Sequence, residues 1–246
     1  LGPTYDCGDF KKNFDEAIRL IGYHDFEERR KKSAVERKYR GIGVANNVEN
    51  AAGAGTEFAD IAFDADGTVN IYAGTTEIGQ GHPTMYRQVV SHLLGIDMGK
   101  IVIHEGDTDK IEQGNGTGGS RVSSLGTSAA RIASERVLEK ARQIAAHLLE
   151  VSLSDIEFKD GSFEIVGTDR SVSWNKVVSA AFSEDHLPEG MEAGLSVKAH
   201  FQSTAPNFPS GCHACEVEVD METGKVDIVR YVGVSDVGNV INPLLL

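Results

Sequence analysis

Eleven consecutive residues, Gly74-Thr75-Thr76-Glu77-Ile78-Gly79-Gln80-Gly81-His82-Pro83-Thr84, carry the densest set of groups that could do chemistry. Gly79 and Gly81 flank Gln80 just before a stretch that reads as a helix, and glycine lets a backbone come close to a ligand. A helix start presents unpaired N–H groups and partial positive charge to an anion. Gln80 adds an amide donor and acceptor, and His82 and Thr84 add polar tips. No Gly-Lys-Ser/Thr follows, so this is not a P-loop. The alternative is a strand-to-helix turn that only needs glycine, with Pro83 at the helix start for its fixed φ.

A second run, Gly114-Asn115-Gly116-Thr117-Gly118-Gly119-Ser120-Arg121, formally contains G-x-G-x-x-G. A dinucleotide fold needs that motif in the tight turn between strand and helix, followed by another strand ending in an acid. Here it lies well past the preceding strand, and a long helix occupies the place of the next one. A Gly/Ser nest before a helix remains a good anion cradle, and Arg121 can pair with a phosphate. Cys212-His213-Ala214-Cys215 is a weaker case. Zinc would need a fourth ligand, and alternation along a strand sends the two cysteines to opposite faces. Asp236 and Asn242 sit in a polar turn, Asp236-Val237-Gly238-Asn239-Val240-Ile241-Asn242-Pro243, that on its own reads as structural.

The elements that must position these runs are legible from period and punctuation. Residues 9–22 read as a helix capped by Asp9, with Phe10, Phe14, Ala17, Ile18 and Ile21 on one face. A charged helix follows over 26–38. Ala59, Ile61 and Phe63 alternate with polar residues up to an Asp-Gly turn, and Val69 and Ile71 return: a hairpin. A helix over 84–94 stops at Gly95, and 100–104 is a short strand. The longest helix spans 125–149, with an apolar face from Ala129 to Leu148. Ile156 and Phe158 pair with Ile165 and Phe163 across Asp160-Gly161; a helix over 174–182 and strands over 194–202 and 212–234 complete the chain. The hairpin at 59–72 and the one at 215–231 echo each other, each leading to a polar loop, so two similar half-units could bring their exit loops to one ligand. Antiparallel hairpins among helices predict an α+β fold with antiparallel or mixed sheets.

The bulk numbers restrict the function. The chain has 246 residues, 27 of them glycine, and a formal charge of -13. Non-specific nucleic-acid binding needs a basic face. Arg29-Arg30-Lys31-Lys32 sits among glutamates and reads as a solvated helix face. An anion would therefore have to be held by local N–H groups and not by overall charge. No apolar run approaches the ~20 residues of a membrane span. Three scattered cysteines make no disulfide framework, so a reducing cytoplasm is the expected compartment. Leu1 and the apolar Leu244-Leu245-Leu246 are expected to be cuts within a longer chain.

Taken together, the motifs resemble the second molybdopterin-binding domain of the molybdenum hydroxylase large subunit, the family of xanthine dehydrogenase, aldehyde oxidase and aerobic carbon monoxide dehydrogenase. The match runs in order from Arg40-Gly41-Ile42-Gly43-Val44-Ala45 through the Asp-Gly hairpin, Gly79-Gln80-Gly81, Leu94-Gly95-Ile96, Gly106-Asp107-Thr108, Gly119-Ser120-Arg121 and Asp236-Val237-Gly238 to Ile241-Asn242-Pro243. Gly-Gln-Gly-His and Gly-Ser-Arg are most similar to the carbon monoxide dehydrogenase branch. The resemblance implies a helical linker over residues 1–39 and a molybdopterin-binding domain over 40–246. It implies that Gly79, Gln80 and Gly81 approach the pterin and its phosphate, with His82 and Thr84 as further candidates for cofactor contact. Gly118, Gly119 and Ser120 would lie near the molybdenum centre, with Arg121 as a candidate phosphate partner and Asp236 and Asn242 as further contacts. The cofactor would be molybdopterin, expected in its cytosine dinucleotide form with the mononucleotide form as the alternative, the metal held by the dithiolene and by no protein ligand. The partners would be iron–sulfur and flavin subunits or domains and the remaining parts of the same subunit. The parent would be a molybdenum-dependent oxidoreductase. The family's catalytic Glu belongs to a Gly-Glu motif beyond the Asn-Pro turn, so no residue here is a catalytic base, and the isolated chain is expected to lack cofactor and activity. The competing reading is a non-catalytic scaffold that keeps the fold without the cofactor.

Overall fold

The computed structural model describes residues 4–52 and 55–246; Leu1, read as a cut end, lies outside them. Internal contacts divide the chain into two compact units, residues 1–51 with 206–240, and residues 52–205 with 241–246.

The first unit is a three-stranded antiparallel sheet carrying two helices. Its strands are β1 (Lys38–Val48), β9 (Ser210–Asp220) and β10 (Val226–Asp236), in the order β1-β9-β10. Helix α1 (Phe10–Ile21) starts at Asp9, whose carboxylate accepts from Lys12 N at 3.0 Å, and ends at left-handed Gly22. It buries Asn13, Ala17 and Ile21, one residue per turn. Helix α2 (Phe26–Val35) is held to the sheet by charge. Arg29 donates twice to the fully buried Glu216 at 2.9 Å, and Arg40 and Arg29 share that carboxylate. Glu218 accepts from Ser33, Lys38 and Arg40. The basic run is thus only partly a solvated face, because Arg29 turns inward to an acid far away in sequence. Both helices, placed in a linker by the sequence reading, lie on this sheet.

The second unit holds a four-stranded mixed sheet, order β4-β3-β2-β8, built from β2 (Thr56–Phe63), β3 (Val69–Ala73), β4 (Ile101–His104) and β8 (Ser196–Gln202). β2 pairs antiparallel with β3 and β8, while β3 and β4 run parallel, joined through α3 (His82–Leu94). α4 (Thr127–Leu149) covers the sheet. β2 buries every second residue, placing Ala59, Ile61 and Phe63 against Val90 and Leu94 of α3 and Ala129, Ala133, Val137, Ala141 and Ile144 of α4. The small residues of α4 permit close approach, and each fully buried Ile contributes ~1.5–3 kcal/mol of hydrophobic stabilisation. A smaller sheet of β5 (Ile156–Lys159), β6 (Ser162–Ile165) and β7 (Ser171–Ser173), with α5 (Trp174–Ala181), packs against α4. The architecture is α+β with antiparallel and mixed sheets, as the hairpin pattern predicts. No helix among the described residues is long and apolar enough to cross a membrane.

Candidate cofactor site

Two loops of the second unit meet. The first runs from Gly74 at the end of β3 to the start of α3. Gly79 and Gly81 take φ of 110° and 82°, which only glycine adopts without strain. These turns fold the backbone around Glu77, whose carboxylate accepts from Gly79 N at 2.6 Å, Gly81 N at 3.1 Å and His82 N at 2.6 Å. The start of α3 therefore already holds an anion supplied by the chain. Burial pushes the Glu77 carboxyl up, but donation from Gly81, His82 and Gly79 outweighs it and leaves its pKa lowered.

A polar cluster supports this loop from beneath. His82 is only 4% exposed, and its Nδ1 lies 3.0 Å from Glu105 and 3.6 Å from Glu77. Thr75 donates to Glu105 and meets the Tyr86 hydroxyl at 3.1 Å. Burial raises the Tyr86 pKa, so the phenol stays protonated. Ligand atoms of Glu77, His82 and Glu105 lie within 4.8 Å of one another, but each already bonds within the chain, and the cluster reads as the support of the loop. His82, expected to offer a polar tip, turns inward to this support. Gln80 is exposed, and its amide oxygen accepts from Ile78 N at 2.8 Å. Thr84 is half-buried in the first turn of α3, its N–H donating to Gly81 O at 3.2 Å.

The second loop approaches the first at Gly114, where a Cβ would lie 2.3 Å from Gly74 O. Gly116 N donates to Gly74 O at 3.0 Å; Thr76 N donates to Thr117 Oγ1 at 3.0 Å, and that hydroxyl donates back to Thr76 O at 2.8 Å. Beyond this seam, a Cβ added at Gly116, Gly118 or Gly119 would meet nothing within 4 Å, and the same holds at Gly79 and Gly81. Ser120 follows in a left-handed conformation at φ 53°. A single π-helical turn, Val122–Gly126, leads into α4; such turns are rare and frequent near functional sites. Arg121, expected to meet a phosphate, instead sets Nε 2.9 Å from Glu57 and donates through Nη2 to Thr56 O at 2.6 Å.

The two remaining candidates make other hydrogen bonds than those of the seam. Asn242 donates to the Gln88 side chain at 2.9 Å and accepts from Leu244 N, an Asx turn across Pro243. Asp236 ends β10 in the first unit and accepts from Gly238 N at 3.3 Å. Cys212 and Cys215 are free thiols, the first buried and the second half-buried. The support of Glu77, His82 and Glu105 was not found from sequence; a Glu two residues before a glycine pair at a helix start is the only local signal for it.

Residues 16–246 match the family described as the molybdopterin cofactor-binding domain. The chain is 32% identical over 98% of its length to the "6-hydroxypseudooxynicotine dehydrogenase complex subunit gamma" of Paenarthrobacter nicotinovorans, covering 30% of that protein. It is 31% identical over its full length to the "Carbon monoxide dehydrogenase large chain" of Afipia carboxidovorans, covering 32% of it. Among solved structures, a Cu,Mo-CO dehydrogenase superposes with a TM-score of 0.87 at 30% identity, over 100% of this chain and 33% of the other. Quinoline 2-oxidoreductase of Pseudomonas putida 86 gives 0.87 at 27% identity, over 99% of this chain and 33% of the other. The chain thus spans about a third of the length of the relatives it matches. A seam of two glycine-rich loops, on a fold shared along the whole length of the chain with these proteins, places it in one family: the chain belongs to the molybdopterin cofactor-binding domain family of the molybdenum hydroxylase large subunits.

Proposed function

We propose that this chain supplies part of the molybdopterin site of a molybdenum-dependent oxidoreductase, with Gly79, Gln80, Gly81 and Gly118, Gly119, Ser120 as the residues that meet the cofactor. The observation that carries this reading is the seam: loops distant in sequence are hydrogen-bonded to each other, and their glycines leave the backbone open to a ligand. Such a surface fits a planar, hydrogen-bonding group. Gln80 brings an amide with two N–H donors, and the left-handed turn at Gly119 and Ser120 brings backbone donors. The cofactor, when bound, supplies a dithiolene-held molybdenum that exchanges oxygen and electrons with a substrate. The cytosine dinucleotide form of the cofactor, and iron–sulfur and flavin subunits or domains as partners, are part of this reading through the resemblance to the carbon monoxide dehydrogenase branch.

One observation favours the scaffold reading. The α3 start is filled by Glu77, and Arg121 is tied to Glu57, so two groups suited to a phosphate are already engaged. Purification of the whole subunit with its natural partners decides between the two. Near-stoichiometric molybdenum and release of cytidine monophosphate on acid hydrolysis are expected. A folded subunit free of both molybdenum and pterin overturns the cofactor reading and leaves the scaffold.

A further inference from the structure

The second loop is closed at its neck by one carboxylate. Glu57, the second residue of β2, is fully buried. Its side chain takes the Phe58 backbone N–H at 3.2 Å and faces the backbone N–H of Asn115, at one end of the loop. Its other oxygen lies 2.9 Å from Nε of Arg121, at the opposite end. The two buried atoms form an ion pair. It lies where almost no water can screen it, and such a contact is strong when intact and costly when one partner is lost. The neighbouring Thr56 carbonyl repeats the pattern, accepting from the Asn115 side chain at 2.9 Å and from Arg121 at 2.6 Å. A Cβ on Gly74 would lie 2.7 Å from the Glu57 carboxylate, so the first loop rests against the same group.

We propose that Glu57 is a positioning residue: by gripping Asn115 and Arg121 together it holds residues 115–121 as a closed loop and so presents Gly118, Gly119 and Ser120. It touches no cofactor. Its functional meaning rests on the cofactor reading above, but the loop closure does not.

The test uses the whole subunit in its natural complex, with the variants Glu57→Gln, Glu57→Asp and the double variant Glu57→Gln with Arg121→Met. Amide hydrogen exchange is followed at Asn115 and Gly116 and, as a reference, along α4. In Glu57→Gln, exchange at the two loop amides accelerates by about tenfold or more while the α4 core stays as in the parent. Glu57→Asp, which keeps the charge, regains most of the protection. If Glu57→Gln fails to fold, the double variant removes both buried charges, keeps the fold and still shows the fast loop. Parent-like exchange at Asn115 and Gly116 in any folded Gln variant overturns the proposal, as does acceleration spread equally over α4. Molybdenum content is read in parallel. A fast loop with lowered molybdenum supports both readings, whereas a fast loop with unchanged molybdenum supports the closure and removes Gly118, Gly119 and Ser120 from the cofactor site.

Discussion

Gly74 and Gly114 cross with no room for a side chain between them: a Cβ on Gly114 would lie 2.3 Å from Gly74 O and 2.6 Å from Gly74 Cα. This crossing joins the end of β3 to the second loop, and it lies directly over the buried Glu57 carboxylate. Two stretches that look alike in composition thereby acquire different roles. Gly74 and Gly114 are required by contact within the chain, while Gly118 borders open space and takes no left-handed φ.

That contrast yields the first expected outcome. Gly114→Ala forces the two backbones apart and destabilises the protein by about 1–3 kcal/mol or more, the usual range for overpacking. Gly118→Ala changes stability by roughly 0.5 kcal/mol or less, as surface substitutions do. Urea unfolding of both variants measures the difference; equal stabilities would mean that the crossing relaxes freely.

Much of this was open to sequence reasoning wherever the cause is local. Asp9 caps α1, Gly95 stops α3, and Ile156 and Phe158 face Ile165 and Phe163, because caps, turns and period depend on neighbours in the chain. The parallel pairing of β3 with β4 escaped, since a short apolar strand does not declare its direction. Glu57 escaped for a similar reason: it lies on an ordinary alternating strand, and only the fold brings Arg121 to it. His82 and Arg121 were both given outward roles on residue type alone. The structure turns both inward toward carboxylates, because a charged or polar side chain near a core is stabilised by the partner that tertiary packing provides.

The first unit depends on Glu216. It is fully buried between Arg29 and Arg40, which are 19% and 12% exposed. Glu216→Gln leaves Arg29 without its buried counter-charge and Arg40 with only Glu218. The expected cost is about 3–5 kcal/mol, as for other broken buried ion pairs. Replacing all three by well-packed apolar residues is expected to restore most of it. Thermal unfolding followed by circular dichroism checks both, and an unchanged midpoint for Glu216→Gln would show that solvent reaches the site.

The carboxylates also divide by pH. Burial pushes Glu216 and Glu77 up, but arginine donation at the first and backbone N–H donation at the second leave both pKa values lowered. Their contributions are fully present above the ordinary glutamate pKa of ~4.3 and are lost as pH falls through the lowered folded values. Glu57 is raised, chiefly by burial, despite Arg121. Its contribution is present below ~4.3 and is lost as pH rises through the raised folded value. Urea midpoints measured in pH steps should therefore change slope below ~4.3 in Glu77→Gln and above it in Glu57→Gln. Two variants that alter the same side of the curve would contradict the assignment.

Gln80 permits the most direct test of the cofactor reading, because its amide has two separable tasks. The oxygen accepts from Ile78 N at 2.8 Å and so shapes the first loop; the nitrogen carries the donors that the proposal assigns to the pterin. Gln80→Glu keeps an acceptor for Ile78 and removes the donors, whereas Gln80→Ala removes both. In the whole subunit, either change should lower cofactor affinity by about 1–3 kcal/mol, the cost of leaving a buried polar partner unmet, with the fold intact by circular dichroism. Only Gln80→Ala should also speed amide exchange at Ile78, since only there is its acceptor lost. The readouts are molybdenum occupancy by elemental analysis and exchange at Ile78. If Gln80→Glu binds molybdenum like the parent while Gln80→Ala does not, then Gln80 acts by shaping the loop and the pterin takes its hydrogen bonds elsewhere. If both bind it like the parent, the first loop is not part of the cofactor site.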